Sequence, residues 1–207
     1  PALTGMDVMD QRALDRKMLE LDGTAEKTVL GGNSIYSTSI ACARAGAACR
    51  GLPLYQRFAE ERGGLKHIPV PTFNVVNGGR YGDYTMAFNE FIIVPSGASC
   101  IEEAVEMGVK VFQRLGDIIF RYKKGVPAGI GGSYGYCAPC DDPETVLGLI
   151  QDAAGACGLQ DKITLALDCA SSAMYCPESK TYLLKGKQCS SGELIDYAER
   201  LTRRFPL

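Results

Sequence analysis

Apolar positions in the first 64 residues recur at helical spacing. The first such segment runs from Thr4 to Gly23 and opens on a sequence that resembles a capping box. The second, from Ser34 to Arg50, is rich in alanine, which permits close packing against a neighbouring helix. A shorter segment runs from Leu52 to Glu61, with a proline suited to its first turn. The pattern predicts an all-helical portion that ends near Arg62-Gly63-Gly64.

From His67 onward the apolar pattern is that of strands followed by helices. Two β-rich stretches come first, from His67 to Asn77 and from Ala87 to Val94. Helical stripes follow from Ser99 to Lys124 and from Pro143 to Gly158. The predicted order is therefore strand, strand, helix, helix.

The last part of the chain adds one more strand and one more helix. Lys162 to Asp168 is almost wholly apolar, which is typical of a strand buried on both faces of a parallel sheet. A short extended piece at Lys180–Lys185 and a helix from Ser191 to Arg204 follow it.

Composition and charge exclude several partner classes. Hydrophobic residues make up 46% of the chain and charged residues 22%, as in an ordinary globular protein. The 22 basic and 24 acidic residues form no basic block, so neither nucleic acid nor an anionic membrane surface is an expected partner. No apolar run reaches the roughly 20 residues that span a bilayer, and the first residues lack the features of a signal peptide. The expected location is the cytoplasm.

Nine cysteines are scattered without a spacing rule, which favours a reduced chain with incidental thiols. The close pair Cys137 and Cys140 is compatible with half a zinc site or a redox pair. A zinc site needs a second pair or a histidine, and the only histidine, His67, lies far earlier; we interpret it as structural. The glycine-rich stretch Gly129–Gly135 neither follows a predicted strand nor opens a helix, so we do not interpret it as a nucleotide-binding loop.

Several separated motifs resemble those of the enolase family, in its order and at its spacing. They are Leu21-Asp-Gly-Thr24, Leu30-Gly-Gly-Asn33, Gly51-Leu-Pro-Leu-Tyr55, Pro69-Val-Pro71, Phe73-Asn-Val-Val-Asn-Gly-Gly79, Asn89-Glu-Phe91, Ala138-Pro139 and Leu167-Asp-Cys-Ala170. They are spread over essentially all 207 residues. By this resemblance the chain is identified as a partial, divergent member of the family.

The resemblance implies an α/β fold in two parts. Residues 1–64 would be the helical end of the family's N-terminal domain, and residues 65–207 the first strands and helices of its β/α (TIM-like) barrel. The family has a further N-terminal sheet before the position of Pro1 and more than half of the barrel after that of Leu207. An open sheet edge favours association, so the expected partner is the remainder of the barrel or another copy in a homo-oligomer.

The resemblance also implies a reaction and its residues. The members of the family are glycolytic lyases that dehydrate 2-phosphoglycerate to phosphoenolpyruvate. In enzymes of the enolase superfamily, Mg²⁺ stabilises an ene-diolate. Asp168 coincides with a metal ligand at the end of a barrel strand, and Glu90 with one of the two catalytic glutamates. Two simpler interpretations stay open: Asp168 as a turn-forming residue, and Glu90 as a structural carboxylate paired with Arg80 or a lysine.

Two catalytic positions of the family carry tyrosine in this chain. After Asn77-Gly-Gly79 the family reads Ser-His-Ala-Gly-Asn and this chain reads Arg-Tyr-Gly-Asp-Tyr, so Tyr81 replaces a histidine that serves the substrate. The family's Gly-Asp-Glu-Gly-Gly-(aromatic)-Ala-Pro motif, aligned through Ala138-Pro139, places Tyr134 at the catalytic glutamate. A phenol is a far weaker acid than a carboxylic acid, so we expect impaired catalysis.

Two interpretations of activity stay open. The chain is either a portion of an active enolase-type lyase or a non-catalytic binding or assembly module that keeps the family's packing pattern. Four tyrosines bear on this choice, because together they would fill the barrel mouth with aromatic surface: Tyr81, Tyr84, Tyr134 and Tyr136. Such a surface either plugs the pocket or binds something other than a small phosphorylated acid.

Overall fold

The computed structural model describes residues 1–60, 63–64 and 67–207. The chain divides into two compact units, Pro1–His67 and Ile68–Leu207. Unit 1 is helical, and unit 2 combines helices with two sheets. None of the described helices has both the length and the apolar character needed to cross a membrane.

Unit 1 contains the three predicted helices. They are α1 (Gln11–Asp22), α2 (Gly32–Cys49) and α3 (Leu54–Glu60). Glu61, the predicted end of the third helix, and Arg62 at the predicted boundary lie outside the described residues.

The predicted start of the first helix at Thr4 is wrong. The helix begins at Gln11, because the Asp10 carboxylate accepts a hydrogen bond from the Ala13 amide at 3.0 Å and caps it there. Gly5, inside the predicted capping box, has a φ of 85°, which is incompatible with a right-handed helix.

A buried arginine connects the helices of unit 1. Only 2% of Arg57 is exposed, and its guanidinium donates hydrogen bonds to backbone carbonyls rather than to a carboxylate. The acceptors are Val8 O at 3.2 Å, Met9 O at 3.3 Å, Cys42 O at 3.3 Å and Ala43 O at 2.6 Å. A methyl group at Gly46 would lie 1.9 Å from Arg57 Nη1, so the glycine makes room for the cation.

The larger sheet of unit 2 is open and mixed. Its strands are β1 (Phe73–Asn77), β2 (Glu90–Val94), β3 (Tyr136–Cys137) and β4 (Thr164–Asp168), in the order β3-β1-β2-β4. The β1–β2 and β2–β4 pairs are antiparallel, and the β1–β3 pair is parallel.

Two strand predictions need correction. The first strand begins at Phe73 rather than His67, because Pro69 and Pro71 cannot donate hydrogen bonds to a neighbouring strand. The strand that ends at Asp168 was expected to lie in a parallel sheet with both faces buried. It pairs antiparallel with β2, and its first and last residues are exposed. An apolar composition predicts burial but contains no information about strand direction.

Helices cover one face of this sheet. They are α4 (Ile101–Tyr122), α5 (Pro143–Ala156), the single turn α6 (Ser171–Met174) and α7 (Ser191–Arg204). Phe91 and Ile93 of β2 are fully buried in one cluster with residues of α4, α5 and α7. Alternate residues of a strand point to opposite faces, so Glu90 and Ile92 lie on the other face of the sheet.

A small antiparallel sheet follows β4. It consists of β5 (Tyr175–Cys176), β6 (Thr181–Leu184) and β7 (Lys187–Cys189). The predicted extended piece at Lys180–Lys185 is confirmed as β6. Lys185 and Gly186 form the hairpin turn with φ angles of 52° and 69°, as a type I′ turn requires.

The start of α4 yields a pH-dependent prediction. The Glu103 carboxylate accepts hydrogen bonds from Ser99 N at 2.7 Å and Ser99 Oγ at 2.6 Å and contacts Lys162 Nζ at 3.0 Å. These contacts, the Ser99 hydroxyl foremost, lower the pKa of Glu103 from 4.5 to about 2.

A lowered pKa in the folded state means that the stabilisation is present above pH 4.5 and is lost as the pH falls toward 2. We therefore expect Glu103→Gln to lower the free energy of unfolding near neutral pH. The effect should become smaller as the pH falls from 4.5 toward 2, and urea unfolding at each pH measures it. Glu102→Gln removes a carboxylate from the same turn and separates the contribution of the helix dipole. An effect of Glu103→Gln that stays constant from pH 7 to pH 2 would contradict this assignment.

Candidate functional site

A cavity of about 1310 Å³ opens in unit 2 at the end of the larger sheet where β2 begins and β4 ends. Four segments line it: the loop before β2, Asp141 before the helix that starts at Pro143, the stretch from the end of β4 through α6, and the tip of the β6–β7 hairpin. Its polar lining includes Arg80, Tyr81, Asn89, Asp168 and Lys185.

Asp168 lies at the cavity with both carboxylate oxygens oriented by the chain. Oδ1 accepts a hydrogen bond from Ala170 N at 2.9 Å, and Oδ2 accepts one from Asn89 Nδ2 at 3.4 Å. Asn89 is almost buried and its own backbone amide donates to Asp168 O at 3.0 Å. The bond to Ala170 is the local turn contact that the simpler interpretation of Asp168 expects, and the bond to Asn89 is an additional one.

Glu90 is the cross-strand neighbour of Asp168 in the β2–β4 pair. Side chains of such neighbours project from the same face of the sheet, and two like charges there repel each other. The half-buried Glu90 does not line the cavity but adjoins it through Asp168. The predicted alternative that Glu90 pairs with Arg80 or a lysine is wrong for the described residues, where Glu90 has no salt bridge.

The loop before β2 brings two tyrosines to the cavity. A 3-10 turn at Gly79–Tyr81 opens this loop, and both Tyr81 and Tyr84 line the cavity wall. Asp83 and Tyr84 have φ angles of 58° and 57°, a left-handed conformation that glycine and asparagine adopt more easily. These are the positions at which the resembling family motif has glycine and asparagine.

The glycine-rich stretch packs on that loop and on β1. Gly132 N donates to Tyr81 O at 2.8 Å, and Gly135 N donates to Asn77 Oδ1 at 2.9 Å. A Cβ at Gly131 would lie 2.3 Å from Tyr81 O, so close backbone approach explains this glycine. The stretch leads into the short β3 rather than a helix, unlike a nucleotide-binding loop.

The four tyrosines do not fill the cavity together, which corrects the sequence-based expectation. The Tyr134 side chain is 84% exposed and lies outside the cavity lining. Tyr136 stacks on Phe112 of α4 with ring centroids 4.5 Å apart. Only Tyr81 and Tyr84 line the cavity, so its mouth is open rather than plugged.

The two residues that flank Tyr134 are nonetheless held on the face of the sheet that carries Glu90. Asn74 Nδ2 donates to Ser133 O at 3.1 Å, and Asn77 holds the amide of Gly135. In the β1–β2 register Asn77 is opposite Glu90, and a bulge puts Asn74 on the same face. The loop that contains Tyr134 is thus anchored on both sides to the Glu90 face.

All nine cysteines are free thiols. The thiol of Cys137 lies 3.7 Å from Asp83 Oδ2, and burial together with this carboxylate raises the pKa of Cys137. Cys169 lines the cavity, and burial, with a contribution from Asp168, raises the pKa of its thiol. Both thiols are therefore poor nucleophiles at neutral pH. His67 is exposed and is not part of the cavity lining.

The fit of these residues to a divalent cation is incomplete. Asp168 has the hard, oriented oxygens that Mg²⁺ prefers, and the repulsion from Glu90 would be relieved by a cation. Mg²⁺ requires six ligands, however, and in the part of the chain that the structure describes no three His, Cys, Asp or Glu residues are grouped to hold a metal. These residues alone do not make a complete magnesium site.

Comparison with protein families decides the relationship. Residues 1–58 match the model described as the enolase N-terminal domain, and residues 65–207 match that of the enolase C-terminal TIM barrel domain. The chain belongs to the enolase family. The α/β, enolase-like fold expected from the motifs is thereby confirmed, and the open sheet of unit 2 is part of the barrel. Enolase-family domains in general bind Mg²⁺ and act on a small phosphorylated acid.

Sequence reasoning missed several residues of the site. Asn89 belongs to a family-like motif, but nothing in that motif indicates that its side-chain amide contacts Asp168. Arg80 lines the cavity, and the signal that could have indicated this is its place beside Tyr81 in the chain. Nothing in the local pattern around Lys185 indicates that the hairpin tip reaches the cavity.

Proposed function

We propose that this member of the enolase family retains the carboxylates at the strand ends and has lost most of the capacity to dehydrate 2-phosphoglycerate to phosphoenolpyruvate. The observation that supports this proposal is the 132–136 loop, which contains two tyrosines and no carboxylate. The loop is anchored by Asn74 and Asn77 on the face of the sheet that carries Glu90.

The reaction has two demands. A base removes a proton from the carbon next to a carboxylate, and an acid helps hydroxide to depart. Tyr134 offers a phenol in place of the acid, and the loss of a positioned acid costs about 10²–10⁴ in rate. Tyr81 still places a hydroxyl at the cavity. A histidine has two ring nitrogens and a cationic form, and a tyrosine has neither.

The retained residues have separate roles in this proposal. Asp168 is one metal ligand, and Mg²⁺, when bound, supplies positive charge that stabilises the ene-diolate. Glu90 is the surviving catalytic glutamate, and Asn89 and Ala170 keep the Asp168 carboxylate oriented. The other protein ligands of the metal ion would come from the remainder of the barrel.

Family membership supports the wider context of the proposal. In this proposal the reaction is a glycolytic one and takes place in the cytoplasm. The boundary between the two domains lies between residues 64 and 65. The chain associates with the remainder of the barrel or with another copy as a homo-oligomer. The alternative of an active enolase-type lyase is supported by the same two carboxylates, and the activity measurements below distinguish it.

Asp168→Asn tests the retained part of the site. The variant keeps the side-chain volume and removes the charge, so we expect any Mg²⁺-dependent formation of phosphoenolpyruvate to fall by at least about tenfold. Asp161→Asn is the matched control, because Asp161 is an exposed aspartate of unit 2 that lies outside the cavity lining. Equal activities of Asp168→Asn and the unsubstituted protein would contradict the role of Asp168.

A further inference from the structure

Two basic residues line the cavity, and they differ in whether their charge is compensated. Lys185 Nζ lies 2.6 Å from Asp142 Oδ1, and this contact raises the pKa of Lys185. Burial opposes ionisation of Asp142, but the hydrogen bonds from Lys185 and Thr145 outweigh it and lower the pKa of Asp142. Arg80 has no carboxylate partner within 4.0 Å among residues 1–60, 63–64 and 67–207. Arg80 is therefore the cation of the cavity wall that is free to meet an anion.

The exposed Arg80 side chain stacks on the ring of its chain neighbour Tyr81. Its guanidinium carbon lies 4.9 Å from the centroid of the Tyr81 ring, and Nη2 donates to the Tyr81 hydroxyl at 3.1 Å. The backbone under this pair is fixed, since Tyr81 O accepts the amide of Gly132. An arginine ordered by stacking loses less entropy when it binds a ligand.

From this arrangement we infer that Arg80 anchors the carboxylate or phosphate group of a small acidic ligand in the cavity. A guanidinium has five N–H donors, and the Tyr81 hydroxyl uses only one of them. The remaining donors match the paired oxygens of a carboxylate or a phosphate. The family motif has serine at this position, so the arginine is a departure from that motif.

The other charges of the cavity favour one orientation of the ligand. Asp141 and Asp168 also line the wall and repel an anionic group, whereas Arg80 attracts it. The exposed ring of Tyr84 and the apolar side chains nearby are suited to the uncharged part of the ligand. This inference rests on the proposal that the cavity takes a small acid, but it does not depend on turnover.

Binding of 2-phosphoglycerate and of inorganic phosphate, measured by isothermal titration calorimetry, tests the inference. Arg80→Gln removes the charge, and we expect the Kd for 2-phosphoglycerate to rise by about 10- to 100-fold, as for the loss of a hydrogen bond to a charged group. Arg80→Lys keeps the charge without the planar fork and is expected to recover part of the affinity. Tyr81→Leu removes the stacking partner and is expected to weaken binding although residue 80 is unchanged.

Arg44→Gln is the matched control, because Arg44 is an exposed arginine of α2 in the other unit. Its Kd should equal that of the unsubstituted protein. The inference is overturned by an unchanged Kd in Arg80→Gln, by equal losses in Arg80→Gln and Arg44→Gln, or by the absence of binding in the unsubstituted protein. Weaker binding of Arg80→Gln in a protein without turnover would support the inference and leave the catalytic proposal to its own tests.

Discussion

Replacing Gly46 by alanine is expected to destabilise unit 1 by about 2–4 kcal/mol, although alanine is normally the better helix former. The new methyl group would lie 1.9 Å from Arg57 Nη1, so the guanidinium has to move. Arg57 is 2% exposed, and a displaced guanidinium gives up its four carbonyl acceptors while it remains buried. Urea unfolding followed by far-ultraviolet circular dichroism measures the effect.

A double-mutant cycle with Arg57→Met identifies the cause. The methionine keeps the stem of the side chain and removes the cation, so Gly46→Ala should then be neutral or stabilising by up to about 1 kcal/mol. Gly32→Ala is the control within the same helix, because a methyl group there meets no atom within 4 Å. A destabilisation by Gly46→Ala that is the same in both backgrounds would show that the packing of Arg57 is not responsible.

The double variant Tyr81→His, Tyr134→Glu is expected to raise the rate of phosphoenolpyruvate formation by about 10²–10⁴. It returns an imidazole to the cavity wall and a carboxylic acid to the loop anchored by Asn74 and Asn77 over the Glu90 face. Formation of the enol double bond is followed by its ultraviolet absorbance. Neither single variant should match the double variant, since base, acid and substrate contacts act together.

The double variant Tyr81→His, Tyr134→Gln is the matched control, because glutamine has nearly the shape of glutamate but no carboxylic acid. Absence of turnover in Tyr81→His, Tyr134→Glu would show that the loop is repurposed rather than eroded. Equal turnover in the control would show that the acid at position 134 is not the cause.

The presence of the helices could be predicted from the sequence, but the starting residues of the first helix and of the first strand could not. The helix predicted at Ser191–Arg204 has those bounds in the structure, because the capping box of Ser190 and Glu193 is a local signal. Thr4 also resembled a cap, but Asp10 competes for the same role and Gly5 interrupts the helix. Local patterns leave such competition undecided.

Strand direction and the composition of the cavity could not be predicted from local patterns. The antiparallel register of Glu90 with Asp168 is a property of the chain path between β2 and β4. Motifs placed Tyr81 and Tyr134 at catalytic positions, yet only the structure separates the cavity-lining Tyr81 from the exposed Tyr134. Asn89 and Lys185 act through contacts between segments that are distant in sequence.

The turnover number of the unsubstituted protein with saturating Mg²⁺ and 2-phosphoglycerate tests the central proposal most directly. Enzymes typically turn over at about 10 s⁻¹, so the loss of the acid at position 134 predicts a value on the order of 0.1 s⁻¹ or lower. A turnover number of about 10 s⁻¹ or more would show that the tyrosine loop does not impair catalysis, and the chain would then be part of an active enolase.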